Sequence, residues 1–346
     1  MKIAIVNKSA VDISQLLTAC TWSGDKTQAA RKLEFEFVQD DRDSRIPVVD
    51  IDNGYVVFGA DDDGNIVFTG NVYNLKKDRA KSSVHVIAYD QLFVLNKSKT
   101  TKKFTDALPE DIAKEMCGEM GIAAGNIVAT GEKVSFIANN KTGYQIIIGA
   151  YTEAHKKNEK QYQCIMNGDR LDVIEKGTLI EGYVLDSVSN MTDSIYSESI
   201  ENIVNRVVVT DDTGNTVTYV DDEESIGKYP RIQAVYKEDK EKDTQTEAKD
   251  LFKEPEREGN VTVFGNYKLI SGYSVVVKDT LFTGQFWIKA DVHTFKDGIH
   301  ETKLTLEFEN IMDEEEVEHE KPQAKTPKTN KSGRTRKSDE SNTEKK

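Results

Sequence analysis

The side chains in this 346-residue chain with the types needed for chemistry are few and scattered. The densest group is Asp291, His293, His300 and Glu301, all metal-ligating types within one predicted hairpin. A zinc site needs three or four such groups converging on one point. The alternation of the flanking residues puts His293 and His300 on opposite parities, hence opposite faces of a sheet. No shared metal and no cofactor are therefore expected. Two acidic runs, 61–65 and 211–215, have the composition of calcium loops. An EF-hand with Gly64 at its sixth position needs an acid at 59 and a Glu at 70, and both are Gly; for Gly214 the same positions are Val209 and Val220. Both runs read as turns.

Cys20, Cys117 and Cys164 are widely separated and no CxxC occurs, so neither a zinc knuckle nor a redox pair is indicated. An odd, unpaired set suits a reducing compartment. His85, His155 and His319 sit in unrelated contexts. GxSxG, HExxH, P-loop and Rossmann patterns are missing. With 60 Asp and Glu, choosing two as a glycosidase dyad is arbitrary. No catalytic residue is assigned. The only tryptophans, Trp22 and Trp287, remain as candidate interface anchors, with core packing as the alternative.

Charged residues make up 31% of the chain and the net charge is −14. Phosphate contacts need Lys and Arg, so such a surface disfavours nonspecific nucleic-acid binding, and no sequence-specific nucleic-acid partner is expected. The N-terminus has too short an apolar run for a signal peptide. No run approaches the about 18 apolar residues of a membrane helix, so no membrane insertion is expected.

The elements that must position any site are mostly strands. The stretch 260–312 is rich in Val, Ile, Thr, Tyr, Phe and Trp, and 274–277, 286–292 and 302–308 read as three antiparallel strands. Phe286, Ile288, Ala290 and Val292 share one parity and should face the same core as Leu304, Leu306 and Phe308. A two-residue turn at Asp297 and Gly298 would put one of these sets in water. A three-residue loop centred on Gly298 is expected instead, pairing 296 with 300 and 292 with 304. Upstream, Leu33, Phe35 and Phe37 alternate with Glu34 and Glu36, and 23–25 reads as a turn.

Residues 98–185 differ. Pro109, Glu110 and Asp111 start a helix whose stripe is Ile112, Met116 and Met120, stopped by Gly121. A second helix is expected over 142–157, and a hairpin over 161–174. The turn pattern of 61–65 recurs at 211–215, and LEFE recurs at 33–36 and 306–309. These echoes favour two related barrels, one at each end. Residues 221–258 are a charged insertion. From 313 the chain holds six acids and then nine Lys or Arg, with Pro, Ser and Thr and no large apolar side chain after 320. A disordered tail is expected there.

The segments TWSGDKTQAARKLEFEF, LISGYSVVV, LFTGQFWIKADVHTF and LEFENIM carry a resemblance in their order and spacing. The chain resembles the baseplate hub proteins of contractile phage tails, nearest the XkdQ/YqbQ-like group of defective prophages and phage-tail-like bacteriocins of Gram-positive bacteria. The fold expected is mainly β with an α+β insert: a barrel-like domain at 1–97, an α+β domain at 98–185, a second barrel-like domain at 186–312 with the insertion, and a tail at 313–346. The resemblance implies a non-enzymatic homotrimer in the baseplate of a virion or tail-like particle, made in the bacterial host cytoplasm. Its partners would be the tail tube, central spike, baseplate wedge and tape-measure proteins. The alternative is a cell-wall hydrolase or peptidoglycan-binding module of the tail tip.

Overall fold

Alternating apolar residues set the first sheet. The computed structural model describes residues 1–239 and 242–319, and they are mostly β. The chain opens with β1 (Lys2–Val6), β2 (Ala10–Asp12), β3 (Leu17–Asp25), β4 (Lys32–Val38), β5 (Val56–Ala60), β6 (Ile66–Asp78) and β7 (Ser83–Asp90). Leu33, Phe35 and Phe37 of β4 are buried at every second position, as are Val84, Val86 and Ala88 of β7. That is the period of a half-buried strand. They share a core with Ile3, Ile5, Trp22 and Val57.

The helix α1 (Leu92–Lys97) leads into a middle unit: β8 (Lys99–Ala107), α2 (Pro109–Glu119), β9 (Ala123–Ile127), β10 (Val134–Thr142), α3 (Gly143–Asn158), β11 (Tyr162–Asn167) and β12 (Arg170–Glu175). Both helices and the β11–β12 hairpin match the periodicity. α3 starts with a capping box. Thr142 Oγ1 accepts from the Gln145 N–H at 3.1 Å, and Gln145 Oε1 accepts from the Thr142 N–H at 3.0 Å. β8, β9 and β10 were not expected, because their Lys, Thr and Gly content masks any alternation.

The remaining strands are β13 (Thr178–Asp186), β14 (Met191–Ser199), β15 (Arg206–Thr210) and β16 (Thr216–Asp221). Then come α4 (Glu223–Lys228), β17 (Gln233–Lys237), α5 (Thr244–Lys249), β18 (Glu256–Phe264), β19 (Tyr273–Lys278), β20 (Thr283–Lys296) and β21 (Ile299–Glu307). Thirteen strands form one long sheet, ordered β14-β18-β21-β20-β3-β4-β7-β6-β5-β1-β2, with β19 and β13 branching from β20. It curves over two cores. The first is that of the N-terminal strands; the second holds Val261, Val275, Phe286, Ile288, Leu304 and Leu306. Each curved region is barrel-like, and among the described residues neither closes.

The β20–β21 register departs from expectation. Lys296 pairs with Ile299 around a two-residue turn, with Asp297 at φ 53° and Gly298 at φ 78°. Positive φ at both positions marks a type I′ hairpin, whose twist matches the strands. The parity conflict is resolved further along. Ile288 pairs with Leu306 but Ala290 pairs with Thr305, so Lys289 is an extra, bulged residue. Before the bulge, the even residues Phe286 and Ile288 point inward. After it, the odd residues Asp291 and His293 do, and Val292 is exposed rather than buried.

β15, β16 and β17 form a separate three-stranded sheet, and α5 covers one face of it through Val207, Val209, Val220 and Ala248. The hairpin at 211–215 therefore lies outside the second curved region, and its echo of 61–65 is shared turn chemistry. Residues 313–319, expected as the start of the tail, pack on the middle unit. Asp313 accepts from Tyr144 Oη at 3.0 Å, the Glu315 N–H donates to Thr152 Oγ1 at 3.2 Å, and the Ile137 N–H donates to Glu318 O at 2.8 Å. Val317 packs against that core. The rest of the expected tail, 320–346, lies outside the described residues.

Candidate functional site at the seam of the long sheet

The two curved regions meet where β20 pairs with β3, from Ala290 opposite Asp25 to Phe295 opposite Cys20. On β20 the buried residues here, Asp291 and His293, are polar. Arg31 Nη1 and Nη2 donate to Asp291 Oδ1 at 3.0 Å and Oδ2 at 2.5 Å, a bidentate pair with the two side chains 7% and 0% exposed. The Ser271 N–H donates to Asp291 Oδ1 at 2.7 Å. The Arg31 guanidinium also stacks 4.0 Å from the Trp22 ring centre. Burial pushes the Asp291 carboxyl up. The Arg31 charge and the hydrogen bonds from His293 and Arg31 outweigh it and bring it down to about 2. Gly24, read as part of a turn, lies in β3 instead. A Cβ there would sit 2.2 Å from Arg31 Nη1, so the missing side chain is what lets the guanidinium reach Asp291.

The two-residue turn also overturns the expected separation of the histidines, because it pairs Phe295 with His300 and His293 with Thr302 and so sets both imidazoles on one face. His293 Nδ1 lies 3.1 Å from His300 Nε2 and 3.1 Å from Thr302 Oγ1; His293 Nε2 lies 3.1 Å from Leu269 O and 3.3 Å from Asp291 Oδ2. His300 is stacked on Phe295 at 4.2 Å, and burial followed by the His293 charge lowers its pKa to about 4. These contacts satisfy the rings within the protein. Among the described residues, no three His, Cys, Asp or Glu side chains are grouped to hold a metal ion.

The other candidates fall elsewhere. Asp61 Oδ1 accepts from the Asn65 N–H at 2.8 Å and Asp211 Oδ1 from the Asn215 N–H at 2.8 Å, so each loop spends a carboxylate on its own turn. All three cysteines are buried, and burial raises Cys20 to about 12 and Cys117 to about 11. Neither is a thiolate nucleophile at neutral pH. Trp22 is 3% exposed, so its contacts are internal and it has no surface to anchor a partner. Trp287 is half-buried and lies across from Ser274 and Glu307. The seam was missed because its partners are 260 positions apart; the one local signal was an Asp flanked by Ala290 and Val292.

Among the described residues, β2 and β14, the two ends of this strand order, are unpaired edges. β2 has no buried residue and exposes Val11, and β14 exposes Ile195 and Tyr196. Free edges offer rows of N–H and C=O groups to another chain.

A family model described as YQBQ-like matches residues 20–307. The phage-like element PBSX protein XkdQ of Bacillus subtilis strain 168 is 25% identical over 267 residues, covering 72% of this chain and 81% of that protein. The 43 kDa tail protein of prophage MuSo2 from Shewanella oneidensis shares the fold, with a TM-score of 0.64 at 14% identity over 88% of this chain and 98% of that one. So does the E. coli c3393 protein, a component of the type VI secretion system with structural similarity to the T4 bacteriophage tail proteins gp27 and gp5. Its TM-score is 0.54 at 8% identity, covering 92% of this chain and 80% of that one.

Proposed function

From the chain's membership of the YQBQ-like family, we propose that it is the structural hub of a contractile tail or tailocin baseplate. Three copies form a ring that joins the sixfold tail tube to the threefold central spike. The observation that carries this reading is the seam. It fuses two curved sheet regions side by side in one chain, so three chains present six comparable units around an axis. The free edges β2 and β14 lie at opposite ends of the strand order, which suits a heterologous contact that closes by rotation. The wedge and tape-measure proteins are further expected neighbours, with assembly following synthesis in the host cytoplasm.

The domain division proposed with this is the expected one, with β15 and β16 grouped with the inserted segment. Of the two tryptophans, Trp287 alone keeps surface for a partner.

Electron microscopy of the purified particle, with this subunit located, tests the reading. Three copies around the end of the tube support it, and copies in the wedges or fibres reject it. The hub reading also entails no hydrolytic activity. Incubation of the protein with purified cell wall is expected to release no soluble fragments; release abolished by one point mutation contradicts this.

A further inference from the structure

Lys176 follows β12 at the meeting point of the middle unit, β21 and the 308–319 segment. Its side chain is 1% exposed. Its backbone is pinned: the Lys176 N–H donates to Gln161 O at 2.8 Å, and Lys176 O accepts from Asn310 Nδ2 at 3.0 Å. Its Nζ donates to the Oδ1 of that same Asn310 at 3.0 Å. The Glu307 carboxylate is the nearest anion. Its Oε2 lies 3.7 Å from Lys176 Nζ, is buried, and has no hydrogen-bond partner among the described residues. Its Oε1 is taken by Lys26, which also donates to Ile311 O at 3.4 Å.

Three features of this arrangement are unusual for a structural ion pair. A buried ammonium ordinarily gathers acceptors on all of its N–H groups. Here an amide oxygen is the nearest acceptor and the carboxylate sits just out of reach. Lys26 already neutralises that carboxylate, so Lys176 is not needed as its counter-ion. Burial brings the Lys176 amine down to about 8; the Glu307 charge opposes this and the Lys26 charge adds to it, so a usable fraction is neutral near neutral pH. The surroundings are also crowded. A Cβ on Gly177 would meet Trp287 Nε1 at 2.6 Å and Asn310 Nδ2 at 2.7 Å, so the indole and the carboxamide both crowd the backbone next to Lys176 and hold the carboxamide in place.

We propose that Lys176 and Asn310 form an intramolecular isopeptide bond, with Glu307 as the proton carrier. Lys176 Nζ attacks Asn310 Cγ, the atom bonded to the oxygen it already touches. The Nζ–Cγ bond forms as the Cγ–Nδ2 bond breaks. Glu307 Oε2 takes the proton shed by the attacking nitrogen and passes one to the leaving nitrogen. Ammonia departs, and the carboxylate is regenerated. Nothing is oxidised or reduced, and no co-reactant is consumed. Holding amine and carboxamide in contact, shielded from water, supplies the proximity such a reaction needs. The product closes a loop between two residues 134 positions apart, which spans the second curved region and its insertion. This bond does not depend on the assembly proposed above.

Intact-mass spectrometry of the purified full chain, incubated at neutral pH, tests it. The expected mass is that of the sequence less one ammonia molecule, with a branched tryptic peptide joining Lys176 to Asn310. Lys176→Arg and Asn310→Ala are each expected to restore the full sequence mass, and Glu307→Gln to slow the loss. A folded wild-type chain that keeps its full mass overturns the proposal. So does an ammonia loss that peptide mapping places anywhere else.

Discussion

Arg31 and Asp291 lie far apart in the chain, yet their contact decides whether the seam is stable. Each charge is buried, so each depends on the other. Removing one partner of such a pair leaves an uncompensated charge, which costs about 3–5 kcal/mol. Asp291→Ala is therefore expected to lower the urea midpoint strongly, while Asp43→Ala, in an exposed pair with Arg45, is expected to change little. The pH dependence has a definite sign. The Asp291 carboxyl is held at about 2 in the folded protein, below its usual range. The stability it contributes is present above about pH 4, the carboxylate value in an unfolded chain, and is lost as pH falls towards the folded value. Urea titrations across that window are expected to show the loss in the wild type and a flatter profile in Asp291→Asn.

At the level of elements, the bulge at Lys289 does the work that a three-residue loop was expected to do. Parity counting correctly found a conflict between the two apolar sets of β20 and β21. It put the remedy in the wrong place, because a bulge has no residue signature while a turn does. Everything downstream inherited that choice: Val292 was assigned to the core, and His293 was set apart from His300. By contrast β4, α2, α3 and the β11–β12 hairpin were legible, since their periodicity and caps are local. Deleting Lys289 is expected to force either Phe286 and Ile288 or Asp291 and His293 outward, giving insoluble protein; Lys289→Ala keeps the count and is expected to fold. The 313–319 segment was illegible for a related reason. Its acids look solvated in sequence, yet Asp313 and Glu315 find Tyr144, Lys141 and Gln145 on the middle unit. Ending the chain at 319 is expected to leave the melting temperature unchanged, because the removed residues have no large apolar side chains to bury. Ending it at 312 is expected to lower it.

For the whole molecule, charge and sheet edges pull in opposite directions. A trimer carries about −42, three times the −14 of one chain, and this repulsion must be offset by buried apolar contact. The exposed Val11, Ile195 and Tyr196 on the edge strands are suited to that contact. The trimer is accordingly expected to persist best at high concentration or on its spike, with the acidic segment around α4 kept out of the ring seam. Native mass spectrometry of the protein, alone and with the spike protein of its own particle, measures this directly. The hub account predicts a complex of three copies, alone or once the spike is added. A stable dimer, or a monomer that stays monomeric with the spike present, would contradict it.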